Sequence, residues 1–206
     1  MLKAREALAL LREGNHRFVA DMRNRHPSRA RRIELAAGQE PFAAILGCSD
    51  SRVPVEIVFD QGLGDLFVIR VAGNIVAPSQ IGSVEFAAEK FGTRLVVVLG
   101  HSRCGAIQTT LEQLQRPRDN QSRNLRSIVD LVRPSVEGLL ATELEHDPDA
   151  LVDAAVRANI RASVRRLRRG SQIIEHLIRN DGLLVVGAEY SLETGEVDFF
   201  DDQGIS

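Results

Sequence analysis

Four short runs of uninterrupted apolar residues punctuate the chain, at positions 43–46, 66–69, 95–99 and 183–186. Each is rich in valine, isoleucine or leucine and does not alternate with polar residues. That is the pattern of strands covered on both faces in a parallel sheet. Between and after them, apolar residues recur at helical spacing and predict helices over 79–91, 106–115, 125–140, 149–167 and 171–180. Pro134 falls inside the third, where a kink or break is expected. Asp147-Pro148-Asp149 reads as a helix start, with proline in the first turn and acids near the positive end of the dipole. Thr194-Gly195 turns toward a short edge strand over 197–200.

Leu2, Leu8, Leu11 and Phe18 recur at roughly helical spacing and predict an amphipathic first helix, packed on its own domain or reaching a partner subunit. Charges at Lys3, Arg5, Glu6, Arg12 and Glu13 interrupt it, so it lacks the apolar core of a secretion signal. The expected architecture is a single α/β domain over 1–206: a helical arm at 1–37, then a core at 38–206 with a central, mainly parallel sheet, flanking helices and an antiparallel edge strand. The most loop-like internal stretch is 116–124. In such sheets ligands bind beyond the carboxyl ends of the strands.

Composition narrows the function. The 206 residues carry 26 basic and 28 acidic side chains, a net charge of −2, so no bulk electrostatic pull toward nucleic acid or an anionic membrane is expected. The densest basic run, Arg165, Arg166, Arg168 and Arg169 before Gly170, reads as the solvated last turn of a helix, because no aromatic stacking residues lie nearby. No stretch is long enough to span a membrane. Two cysteines make no disulfide scaffold, and a cytoplasmic protein with reduced thiols is expected.

Both cysteines instead follow strands. The first strand runs into Gly47-Cys48-Ser49-Asp50-Ser51-Arg52, and the third into Gly100-His101-Ser102-Arg103-Cys104-Gly105. Two thiols and an imidazole at one sheet edge point to a metal site, and that donor set favours zinc. Three protein ligands leave a fourth position open, as in catalytic zinc sites; Asp50 either closes it or accepts a hydrogen bond from the water there. Arg52 stands where a guanidinium can grip the Asp50 carboxylate with two parallel hydrogen bonds. His16, His26, His146 and His176 lie in helical or polar segments and read as surface or packing residues.

Other motifs fail on residues. Cys48 and Arg52 are too close in sequence for a phosphatase loop. Ala106 and Ile107 stand where a phosphate-binding loop needs Lys-Ser/Thr, and Phe67 where a dinucleotide fingerprint needs its last glycine. A thiol-nucleophile or redox enzyme is disfavoured by the absence of a Cys-x-x-Cys pair and of a second histidine placed to activate a thiol.

CSDSRVP at 48–54 followed by HSRCGA at 101–106 resembles the paired zinc signature of the β-class carbonic anhydrases. The likeness runs from 39 to 108 and returns at 182–197. It implies zinc held by Cys48, His101 and Cys104, with Asp50–Arg52 as the catalytic dyad and Asp50 a fourth ligand only in a closed state. It also implies reversible hydration of carbon dioxide to bicarbonate and a proton, by attack of a hydroxide generated at the metal. Gln39 matches a glutamine that contacts substrate or bicarbonate. Phe67 and Ala72 match positions lining the carbon dioxide pocket, where valine is more usual than Ala72. Bicarbonate-regulated members carry tryptophan where this chain has Ile45, whereas the other two positions of that site match Arg70 and Tyr190. The family builds homodimers that often pair into homotetramers, with N-terminal helices embracing the neighbour. Two alternatives stay open: hydrolysis of a sulfur analogue such as carbon disulfide on the same zinc, and a non-catalytic zinc-stabilised protein.

Overall fold

The computed structural model of the chain describes residues 2–24, 27–116 and 122–200. The apolar runs form strands β1 (Ala43–Gly47), β2 (Leu66–Arg70), β3 (Leu95–His101) and β4 (Leu184–Tyr190), joined by the edge strand β5 (Val197–Phe200). Their order is β2-β1-β3-β4-β5, parallel throughout except that β5 pairs antiparallel with β4. The chain leaves β1 toward β2 on one side and returns to β3 on the other, so the topological switch point lies between β1 and β3.

Successive residues of each strand feed opposite faces. Ala44, Leu46, Val96 and Val98 join one core cluster, while Ala43, Ile45, Val97 and Leu99 join the other. The first face is covered by α4 (Pro78–Lys90), α5 (Gly105–Gln115), α6 (Arg123–Val136), α7 (Pro148–Arg169) and α8 (Gln172–Asn180). The second is covered by α1 (Ala4–Val19) and the single turn α3 (Val55–Val58). A short helix, α2 (Arg29–Leu35), buries no residue. Among the described residues no helix is long and apolar enough to cross a membrane.

Several details differ from the sequence reading. β3 and β4 run on into His101 and Tyr190, because ladder pairing continues after the apolar run ends. His101 is thus the last residue of a strand rather than part of the loop beyond it. The third helix ends at Val136 and tightens into a 3₁₀ turn, Glu137–Ala141, two residues after Pro134 removes a backbone donor. Asp147 caps α7 as expected, its carboxylate accepting from the Ala150 amide at 3.1 Å. The arginine run is not simply solvated: Arg166 Nη1 donates to the Val76 carbonyl and Arg168 Nη2 to the Val185 carbonyl. Of the expected loop at 116–124, residues 117–121 lie outside the described residues, as does His26; His16, His146 and His176 are exposed.

α1 packs on its own sheet. Ala4, Ala7, Leu8 and Leu11 enter the second core cluster beside Val58, Phe59 and Val186. Buried Asn15 fixes the helix: its Nδ2 donates to the carbonyls of Val58 and Gly195 at 3.2 and 2.9 Å, and its Oδ1 accepts from the Val197 amide at 2.9 Å. Gly14 lets the helix approach this closely, since a Cβ there would stand 1.8 Å from the Phe59 carbonyl oxygen. Gly14→Ala should therefore lose about 1–3 kcal/mol of stability in urea unfolding, the cost of overpacking against an immovable backbone. An unchanged midpoint would mean that α1 docks elsewhere.

Candidate metal centre and active site

β1 and β3 end side by side, and their last residues carry the thiol and imidazole groups. Cys48 follows β1 directly, His101 closes β3, and Cys104 stands three residues on as the N-cap of α5. All three are buried, and their ligand atoms lie within 4.8 Å of one another. The two sulfurs are 3.9 Å apart, far beyond a disulfide bond. Two sulfurs each ~2.3 Å from one tetrahedral ion would be separated by about 3.8 Å, so the spacing fits shared metal ligation.

The imidazole is prepared for the same task. Nδ1 lies 2.9 Å from the Ser102 carbonyl, which can only accept; Nδ1 therefore carries the proton and Nε2 keeps its lone pair. Nε2 is buried without a hydrogen-bond partner, the signature of a ligand atom facing a cation site. The loop is held by the Ser102 amide donating to the Tyr190 carbonyl and the Leu192 amide donating to Ser102 Oγ, both at 3.0 Å.

The two thiols stand within hydrogen-bonding distance of each other. A hydrogen bond from Cys104 pulls Cys48 down to about 4 against the cost of burial, with help from His101 and the Gly73 amide. The same hydrogen bond and burial push Cys104 up, although the Ile107 and Ala106 amides at the start of α5 oppose this. Burial disfavours the charged form of His101, yet the neighbouring Cys48 sulfur, with the Ser102 carbonyl and the Asp50 carboxylate, raises it overall. A divalent ion held between them would allow both thiols to ionise together.

Asp50 sits at the rim of this cluster. Arg52 grips it with Nε on Oδ1 at 2.9 Å and Nη2 on Oδ2 at 2.8 Å, while the Arg52 amide adds a third bond to Oδ1. These contacts hold the Asp50 carboxyl well below the usual carboxylate range. Its Oδ2 stands 3.8 Å from His101 Nε2, beside the space the three ligand atoms face. Arg70, from the end of β2, donates to the Cys48 and Asp50 carbonyls at 3.1 and 2.6 Å.

The other expected residues are spread out. Ala72 adjoins Gly73, whose amide donates to Cys48 Sγ at 3.4 Å. Gln39 is exposed and precedes β1, whereas Cys48 follows it; Phe42 and Cys48 are about 20 Å apart at ~3.3 Å per residue. Phe67 pairs in register with Ala44, also toward the far end of the sheet, and packs against Phe86 and Phe91. Neither Gln39 nor Phe67 is therefore brought to the centre of its own chain. Ile45 and Tyr190 belong to the second core face, and the alternation of β2 puts Arg70 on that face with Leu66 and Val68. A cavity of about 680 Å³ opens beside Ser102 and Arg103 rather than over the sulfurs; of its charges, Arg157 pairs with both Glu189 and Asp198. Gly73 is the contributor the sequence reading missed, signalled only by a Gly-Asn turn after an apolar strand.

Comparison with known proteins agrees with this geometry. The family model described as carbonic anhydrase matches residues 43–197. "Carbonic anhydrase 2" of Mycobacterium tuberculosis is 41% identical over 187 residues, spanning 90% of this chain and 87% of that protein. A carbonic anhydrase of Mycolicibacterium smegmatis is 38% identical over 190 residues, spanning 91% and 89%. Among solved structures, the β-carbonic anhydrase CafA of Aspergillus fumigatus superposes with a TM-score of 0.75 at 25% identity, covering 97% of this chain and 91% of that one. One of two tetrameric β-carbonic anhydrases from Sordaria macrospora gives 0.74 at 26% identity, covering 84% and 87%. The match takes in both strand-end motifs and the sheet that sets them side by side, and by it the chain belongs to the β-carbonic anhydrase family.

Proposed function

We propose that this chain interconverts carbon dioxide with bicarbonate and a proton at a zinc ion held by Cys48, His101 and Cys104, with Asp50 and Arg52 orienting the nucleophile. The observation that carries this reading is the convergence of three ligand atoms within 4.8 Å at the switch point of the sheet. Zinc, when bound, supplies a Lewis acid that lowers the pKa of water and steadies negative charge developing on oxygen.

The chain's own groups supply the rest. Cys48 and Cys104 would neutralise the ion's charge and fix its place, while His101 Nδ1 donates its hydrogen bond to the Ser102 carbonyl. Asp50, ionised because Arg52 holds both its oxygens, accepts a hydrogen bond from the attacking hydroxyl group and turns its lone pair toward carbon. The same bidentate grip favours this role over service as a permanent fourth ligand, and so favours catalysis over a zinc-stabilised scaffold. Arg70 braces the backbone of Cys48 and Asp50 together, so ligand and acceptor move as one unit.

Gln39 and the aromatic group around Phe67, with Phe86 51% exposed, lie at the end of the sheet away from the chain's own centre. The proposal therefore includes a homo-oligomer in which these residues serve the site of a neighbouring copy. Tetrameric relatives support an assembly of this kind.

Cys48→Ser and His101→Ala should each lose stoichiometric zinc and carbon dioxide hydration together, measured by metal analysis beside stopped-flow assay. Zinc retained at one per chain in either variant would overturn the ligand assignment. Asp50→Asn should keep its zinc and hydrate carbon dioxide on the order of 10²-fold more slowly, as expected on removing a proton acceptor; undiminished turnover would remove the dyad from the mechanism. Gln39→Ala should weaken hydration while leaving zinc content unchanged, in a protein that sediments as a dimer or tetramer. A fully active monomer would refute the shared site.

A further inference from the structure

α7 reaches the metal centre without contributing a ligand. Asn159, Ser163 and Arg166, spaced i, i+4, i+7 on one stripe, each hold a backbone carbonyl of the segment after β2. Asn159 Nδ2 donates to Gly73 at 2.8 Å, Ser163 Oγ to Asn74 at 3.0 Å and Arg166 Nη1 to Val76 at 3.1 Å. The residues they hold are conformationally unusual: Gly73 has φ 70° and Asn74 φ 42°, both left-handed. Such a backbone persists where its surroundings over-determine it. In this conformation the Gly73 amide donates to Cys48 Sγ at 3.4 Å, inside the protein.

Asn159 itself is 2% exposed. It lies on the buried stripe of a helix whose neighbouring core positions are Val156, Ile160, Val164 and Leu167. An amide there is costly unless fully used, and its visible use is the Gly73 carbonyl. No ordinary packing demand selects asparagine over leucine at such a position.

We propose that Asn159 is a positioning residue for the metal centre. By holding the Gly73 carbonyl it keeps the Gly73 amide on the Cys48 sulfur. The N–H···S bond fixes the rotamer of the thiolate and draws charge from it, as groups behind a ligand commonly do. The inference rests on the zinc reading of the same site but concerns a residue that touches neither metal nor substrate.

The test uses the full-length protein loaded with cobalt, whose thiolate-to-metal charge-transfer band reports the electron density on sulfur, and the zinc protein challenged with a chelator. Asn159→Leu preserves side-chain bulk without the donor, and Asn159→Ala serves if the leucine variant fails to fold. Leu167→Ala, a fully buried truncation on the same helix, is the structural control. Both Asn159 variants should release zinc about tenfold faster than the parent, because the Cys48 rotamer is no longer fixed, and should shift the band to longer wavelength, because a sulfur relieved of its hydrogen bond gives up electrons more easily. Leu167→Ala should lose stability while keeping the parental band and release rate. Parental values in the Asn159 variants, or the same changes in Leu167→Ala, would overturn the positioning role. If the parent chain gives no thiolate band, the zinc reading falls and this inference falls with it; a normal parental band with unresponsive Asn159 variants sinks this inference alone.

Discussion

Two sulfur atoms 3.9 Å apart in the buried interior set the terms for their surroundings. Ionised together and left alone they would repel strongly where water cannot screen them. The chain answers with donors and no further free negative charge. The Gly73 amide faces Cys48, the first amides of α5 favour the ionised form of Cys104, and the nearby carboxylate of Asp50 is matched by Arg52. A doubly charged cation would complete the balance and give the buried, unpartnered Nε2 of His101 its partner.

The parts legible in the sequence are those written locally. Continuous apolar runs announce strands buried on both faces, and the residues directly after them announce what the sheet edge displays. Cys48, Asp50 and Arg52 lie within five positions, and His101 and Cys104 within four, so spacing alone brings each group to one place. The side-by-side arrangement of β1 and β3 is not local, but it follows from the crossover rules of parallel sheets.

What escaped reading depends on contacts between distant segments. Asn159 and Gly73 are 86 residues apart, and nothing in the pattern of α7 marks that asparagine as a backbone clamp rather than a polar interruption. The Arg70 guanidinium reaches back 22 and 20 residues to the Cys48 and Asp50 carbonyls, a brace that no local pattern marks. The docking of α1 turned on Gly14 and Asn15, residues that an amphipathic pattern passes over because neither is apolar bulk. Gln39 lies nine positions before Cys48 in sequence, yet the intervening strand β1 carries the two to opposite ends of the sheet.

The pairing of β1 with β3, with Ala44 opposite Val96 and Gly47 opposite Leu99, has a bearing on how the protein matures. A slip of one residue between these strands would move Cys48 by ~3.3 Å and turn its side chain to the opposite face of the sheet. Such a mispaired chain has no place for the ion. An ion held between these two strand ends would thus reward only molecules whose two central strands have found their proper alignment.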